Sequence, residues 1–188
     1  MINDIRKAVE VLKQGGIILY PTDTVWGIGC DVTNDVAVKK LYRLKQKKEE
    51  IMAMLMLVSD TNMIYKYVQT VPDIAIQLIE ISDKPLTVVF PNACGVSPEI
   101  TAPDGSVGIR LVNHEYCNSL IRILKHPLVS TSANISGVPA PRTFSEISKK
   151  IIEGVDYVVD AKYTGKMTGK PSSIIKIGVS GEVKIIRS

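Results

Sequence analysis

The order in which short apolar runs and amphipathic stretches follow one another constrains this chain more than any single motif. Ile17 to Tyr20, Leu55 to Val58, Leu86 to Phe90, Ser106 to Leu111, Leu128 to Ser130, Tyr157 to Asp160, Ser173 to Ile177 and Val183 to Ile186 are too short for helices and read as strands. Helical spacing fills several of the gaps. One helix runs from an N-cap at Asn3 through Gln14, with Ile5, Ala8, Val9 and Leu12 on one face and Gly15 as its stop. A second spans Asn34 to Lys47, with Val36, Ala37, Leu41 and Leu44 turned inward. Helical patterns also cover Thr61 to Val68, Asp73 to Ile81, Cys117 to Leu124 and Phe144 to Ile152. Strands and helices mix without strict alternation. The expected fold is therefore α/β, a single open twisted mixed sheet flanked by helices, in one domain over residues 1–188. Ala161 to Pro171, rich in Lys, Gly and Thr, reads as a mobile loop.

A chain of 188 residues can bury such a core without disulfides or metals. Cys30, Cys94 and Cys117 are odd in number and lack CxxC spacing, which argues against a disulfide framework or zinc site and fits a reducing cytoplasm. No apolar stretch approaches the roughly 20 residues that span a bilayer, and the N-terminus lacks the apolar core of a signal peptide, so a cytoplasmic protein with no membrane partner is expected. The net charge of +4 is mild and agrees with polyanionic partners such as nucleotides or RNA.

Two loops carry the chemistry. Tyr20-Pro21-Thr22-Asp23-Thr24-Val25-Trp26-Gly27 and Ser130-Thr131-Ser132-Ala133-Asn134-Ile135-Ser136-Gly137 each follow a buried strand and are crowded with hydroxyls. Neutral donors at the exit of a buried strand suit a small polar or anionic ligand. Trp26 and Tyr20 are placed to wall a small pocket. Alternation along an extended segment puts Ser130, Ser132 and Asn134 on one face, with Thr131 and Ala133 toward the core. Arg110 ends an apolar strand and needs a partner, either an internal carboxylate such as Asp104 or Glu115 or the carboxylate of a bound amino acid.

These loops resemble the YrdC-like family of threonylcarbamoyl-AMP synthases, and the likeness extends over nearly the whole chain. It takes in Gly15-Gly16-Ile17, Gly27-Ile28-Gly29-Cys30-Asp31, the Lys45-Gln46-Lys47 segment, Lys84-Pro85-Leu86-Thr87, Val107-Gly108-Ile109-Arg110 and Pro171-Ser172-Ser173-Ile174-Ile175. The resemblance implies a YrdC-like fold with a basic concave face and synthesis of threonylcarbamoyl-AMP from L-threonine, bicarbonate and ATP, with Mg²⁺ accompanying ATP. It assigns threonine to Thr24, Arg110 and Ser132. It assigns ATP to Lys45, Lys47, Lys48, Ser106, Ser130, Asn134, Arg142 or Thr143, and Arg187. It implies no covalent nucleophile. Further partners are tRNA or double-stranded RNA and downstream threonylcarbamoyl-transfer proteins. The chain departs from the family pattern where Lys47 stands in place of the usual Arg and Met52-Ala53 in place of a later Lys-Pro. Lysine lacks the two-pronged fork of arginine.

A rival reading is a non-catalytic RNA-binding module using Lys39, Lys40, Lys149 and Lys150. Against it, no RNA-binding signature is present, and aromatics at 5% are few for a stacking platform. Gly165 to Ser172 imitates a phosphate-binding Walker loop, but Pro171 interrupts the Gly-Lys-Ser core. His114 and His126 have no nucleophile motif and read as surface or turn residues. Met52, Met54 and Met56 alternate as a strand face that packs in the core.

Overall fold

The computed structural model describes residues 1–46 and 54–188. Its first helix, α1 (Ile2–Lys13), buries Ile5, Ala8, Val9 and Leu12, the face that helical spacing marks. It begins earlier than expected, with Met1 as N-cap and Asn3 inside the first turn. Gly15 ends it at φ 78°, a backbone state glycine tolerates best. The chain then enters β1 (Ile18–Tyr20) and turns back as β2 (Gly27–Asp31). Reading the sequence alone misses β2, because two glycines in five residues weaken its strand signal.

Helix α2 (Asp35–Lys45) starts at Asn34, whose side chain accepts from Ala37 N at 2.9 Å. Val36 is 76% exposed, and Val38 takes the inward position expected of it. The helix stops short of the expected Lys47, because Gln46 caps it in the left-handed conformation at φ 53°; Lys47 itself lies outside the described residues. The remaining elements are β3 (Leu55–Val58), α3 (Asp73–Ile81), β4 (Leu86–Phe90), β5 (Val107–Leu111), α4 (Glu115–Leu124), β6 (Leu128–Ser132), α5 (Lys149–Gly154), β7 (Tyr157–Val158), β8 (Ser173–Ile177) and β9 (Val183–Arg187). Thr61–Lys66 is a 3-10 helix rather than an α-helix. The single helix expected over Phe144 to Ile152 is divided, because Ile147 and Ser148 adopt extended angles between a 3-10 turn at Phe144–Glu146 and α5.

Among the described residues the strands form one nine-stranded mixed sheet in the order β7-β1-β2-β6-β3-β5-β4-β8-β9. The pairs β1–β7, β3–β5 and β4–β8 are parallel and the others antiparallel. Strand alternation divides the faces of this sheet. One row, Val129, Met56, Ile109, Val88 and Ile175, runs in register across β6, β3, β5, β4 and β8 and is buried in the core. The neighbouring row brings Arg110, Thr87, Ile174 and Arg187 into line across β5, β4, β8 and β9. This second face carries the candidate site.

Candidate active site

The turn between β1 and β2 is organised by Thr22. Its Oγ1 accepts from the backbone N–H groups of Thr24 and Val25 and donates to Val25 O at 2.8 Å. That commits the Thr22 proton. The Thr22 and Thr24 hydroxyls lie 2.9 Å apart, and Thr24 Oγ1 accepts from Arg110 Nη2 at 3.3 Å.

Arg110 finds its internal partner in that same loop. The carboxylate is Asp23, not Asp104 or Glu115: Arg110 Nη1 donates to Asp23 Oδ1, and Asn113 N donates to Asp23 Oδ2 at 3.1 Å. Both side chains of the ion pair are over nine-tenths buried. Among the described residues Arg110 Nε has no hydrogen-bond partner. Asp104 instead pairs with Lys176 and accepts from Ser106 N and Oγ. The Lys176 and Ser106 hydrogen bonds hold its carboxyl down at about 2.

The second loop is extended through Ser132, because β6 runs farther than its apolar residues indicate. Ser130, Ser132 and Asn134 share the cavity as alternation predicts, although Thr131 borders it too. Lys45 is 97% buried, and its Nζ donates to Ser132 O, Asn134 O and Asn134 Oδ1 at 2.8, 2.7 and 3.0 Å. Ser132 Oγ also donates to Asn134 Oδ1, while Asn134 Nδ2 donates to Val138 O and Ile135 O. Lys45 and the Asn134 amide thus brace the loop from within. Tyr20 lies beneath it: the Tyr20 hydroxyl donates to Ser130 Oγ at 2.6 Å.

These parts surround a cavity of about 330 Å³. Its lining comes from every strand from β2 to β9 in sheet order, so the face of the sheet is its floor. Thr24, Lys45, Ser106, Arg110, Ser130, Ser132, Asn134 and Arg187 all border it. Arg187 is anchored there by donating from Nε and Nη2 to Ser172 O at 3.1 and 2.7 Å. Among the described residues no Asp or Glu borders the cavity, and no group of His, Cys, Asp or Glu forms a metal-binding cluster.

Other expected residues lie elsewhere. Arg142 and Thr143 are exposed and do not border the cavity; the Arg142 backbone N–H is tied to Glu146, and the Thr143 hydroxyl to Ser145. Lys47, Lys48 and Met52 fall outside the described residues. Trp26 and Tyr20 wall nothing: both are wholly buried, Trp26 edge-on to Phe144. Met54 and Met56 both pack in the core as expected, and Met54 borders the cavity as well. His126 sits in a turn against Asp31, but His114 is 7% exposed and bonds Thr164 O through Nε2 at 3.0 Å. Ala161 to Pro171 is not loose: Thr168 N and Gly169 N donate to Asp23 O and Thr24 O, each at 2.9 Å. It forms a strap over the first loop. Thr87 and Ser172, whose hydroxyls bond each other at 2.8 Å, border the cavity although sequence reading gives them no role; Thr87 stands in the row beside Arg110, and Ser172 precedes the first residue of β8.

Two of the lysines of the RNA-binding reading are engaged, Lys39 with Glu99 and Lys40 with Asp156. Among the described residues no helix is long and apolar enough to cross a membrane.

Comparison with known proteins agrees with this geometry. A Sua5/YciO/YrdC family model, described as telomere recombination, matches residues 10–188. The threonylcarbamoyl-AMP synthase of Idiomarina loihiensis is 35% identical over 92% of this chain and 92% of its own. A putative threonylcarbamoyl-AMP synthase of Methanocaldococcus jannaschii is 38% identical over 92% of this chain and 81% of its own. P. abyssi Sua5, solved in complex with L-threonine, superposes with a TM-score of 0.83 at 25% identity over 92% of this chain, which spans about half of that longer one (50%). With the family model matching nearly the whole chain and curated relatives 35 and 38% identical over nine-tenths of it, the chain belongs to the Sua5/YciO/YrdC family.

Proposed function

We propose that this protein is a nucleotidyltransferase that makes threonylcarbamoyl-AMP from L-threonine, bicarbonate and ATP, supplying the threonylcarbamoyl group for tRNA modification. The observation that carries the reading is the cavity. It gathers hydroxyls, an amide and the cations Lys45, Arg110 and Arg187 on one face, with no carboxylate among the described residues that line it, which suits anionic substrates. The curated relatives that match over nine-tenths of this chain support the choice of reaction.

In this reading the threonine amine attacks bicarbonate with loss of water, or carbon dioxide with loss of a proton, to give a carbamate. The carbamate oxygen then attacks the α-phosphorus of ATP, and pyrophosphate leaves with the electron pair of the broken P–O bond. Catalysis rests on positioning and electrostatics, which together can lower a barrier by roughly 7–11 kcal/mol. Arg110 retains N–H donors beyond those given to Asp23 and Thr24, and these face the threonine carboxylate. Thr24 and Ser132 fix the rest of the amino acid. Ser106, Ser130 and Arg187 meet ATP, with Lys45 and Asn134 shaping the loop that holds it. Mg²⁺ enters as the ATP complex. No cysteine borders the cavity, and burial pushes the Cys30 and Cys117 thiols well up, so none is a nucleophile in this reading.

Pyrophosphate release, measured with each of threonine, bicarbonate and ATP omitted in turn and without RNA, tests the proposal. Release is expected only when all three are present. Release independent of threonine would refute it.

A further inference from the structure

We infer that Tyr20 is a positioning residue that sets the polarity of the Ser130 hydroxyl, making Ser130 a hydrogen-bond donor to an anionic oxygen of the bound substrate. The Tyr20 hydroxyl is wholly buried, and among the described residues Ser130 Oγ, at 2.6 Å, is its one hydrogen-bond partner. Were Ser130 the donor, the phenolic proton would be buried without an acceptor, at a cost comparable to a lost hydrogen bond. Tyr20 therefore donates. Burial also pushes its ionisation far above the ordinary phenol range, so this proton is present throughout the working pH range.

Having accepted from Tyr20, Ser130 keeps its own proton, and no described protein group takes it. Ser130 is 4% exposed and borders the cavity, so the unused proton points where a ligand oxygen would lie. The surrounding backbone is built for this contact. Tyr20 stands on β1, and its ring must cross β2 to reach β6. It crosses at Gly29, where an added Cβ would stand 3.0 Å from the Tyr20 hydroxyl oxygen and 2.3 Å from Val129 O. Gly27, beside it on β2, leaves room on the cavity side, where a Cβ would lie 3.3 Å from Ser130 Oγ. The two glycines that hide β2 from sequence reading thus clear a path for one phenol and one hydroxyl.

The inference rests on the cavity being the site of ATP and threonine, and a phosphate or a carboxylate oxygen would satisfy Ser130 equally. Calorimetric titration with MgATP and with L-threonine separates these, using the parent chain, Tyr20→Phe, Ser130→Ala and the double variant. Ser130→Ala is expected to weaken one of the two ligands roughly tenfold or more, and Tyr20→Phe to weaken that same ligand roughly three- to tenfold, with the other unchanged. The double variant should bind no worse than Ser130→Ala alone, because without Ser130 the phenol has nothing to orient. Parent-like affinity in Tyr20→Phe, or losses that multiply in the double variant, overturns the inference. Unchanged affinity for both ligands in Ser130→Ala overturns it on its own, whether or not Tyr20→Phe folds. A parent chain that binds neither ligand refutes the proposed function and this inference with it.

Discussion

At the scale of single residues, the site is decided by which polar groups are already spoken for. Arg110 illustrates this. Its place at the end of an apolar strand is legible in the sequence, as is its need for a carboxylate, but the partner is not, because Asp23 lies 87 positions away. Only the folding of the first loop over β5 brings the two together. Replacing Asp23 by Asn should leave a buried guanidinium without its counter-charge and cost about 3–5 kcal/mol in a urea titration. A fully stable Asp23→Asn would show that the pair is not the anchor of this loop. Arg110→Ala, in protein that remains folded, is expected to weaken threonine roughly ten- to a hundredfold while ATP binding changes little, as read by calorimetry. Lys45 and Asn134 make the opposite point. Residue type and spacing mark them as ligands, yet their polar atoms are consumed in bracing the second loop. Hydrogen-bond bookkeeping of that kind is invisible until the loop is closed.

At the scale of elements, β4, α3 and β8 are bounded in the sequence as they are in the structure, because each is an uninterrupted apolar or amphipathic run flanked by breakers. What escaped was governed by tertiary contacts. β2 is a strand because β1 and β6 flank it, despite its glycines. The strap from Ala161 to Pro171 is ordered because two backbone carbonyls of the first loop and the His114 ring hold it, although its composition is that of a loop. The amides of Thr168 and Gly169 should therefore exchange with solvent far more slowly than that of Lys166. Gly165 has φ 59°, and a Cβ there would stand 3.1 Å from His114 Nε2. Gly165→Ala is expected to abolish that protection and to cost roughly 1–3 kcal/mol. A second tie between elements responds to acid. Asp104 sits below its ordinary 3.8 because of Lys176 first and Ser106 next, so its contribution to stability is complete above pH 4 and fades as pH falls through about 2. Lys176→Ala should bring the Asp104 midpoint back toward the ordinary value in a carboxyl NMR titration. A midpoint still near 2 would mean that Ser106 alone holds it.

At the scale of the whole molecule, the cavity belongs to no single element. Its floor is one face of the sheet from β2 to β9, and its rim is two loops and a strap that meet only in the folded chain. A ligand filling it bridges most of the sheet and should stabilise the domain as a unit. At a hundred times its dissociation constant, a ligand that binds only the folded state adds about 2.7 kcal/mol, which for a domain of this size raises Tm by roughly 5–10 °C. The proposed division of the cavity makes this divisible too. Arg187 lies on β9 at the far end of the register row that starts from Arg110 on β5, with Thr87 and Ile174 between them. If ATP occupies the Arg187 end and threonine the Arg110 end, Arg187→Ala should shrink the Tm shift caused by MgATP and leave the shift caused by threonine intact. Arg110→Ala should do the reverse. Scanning calorimetry of the two variants with each ligand separately reads all four shifts. Should Arg187→Ala reduce both shifts equally, Arg187 is a strut that holds the cavity open through Ser172, and the nucleotide must be bound by the second loop and Ser106 without it.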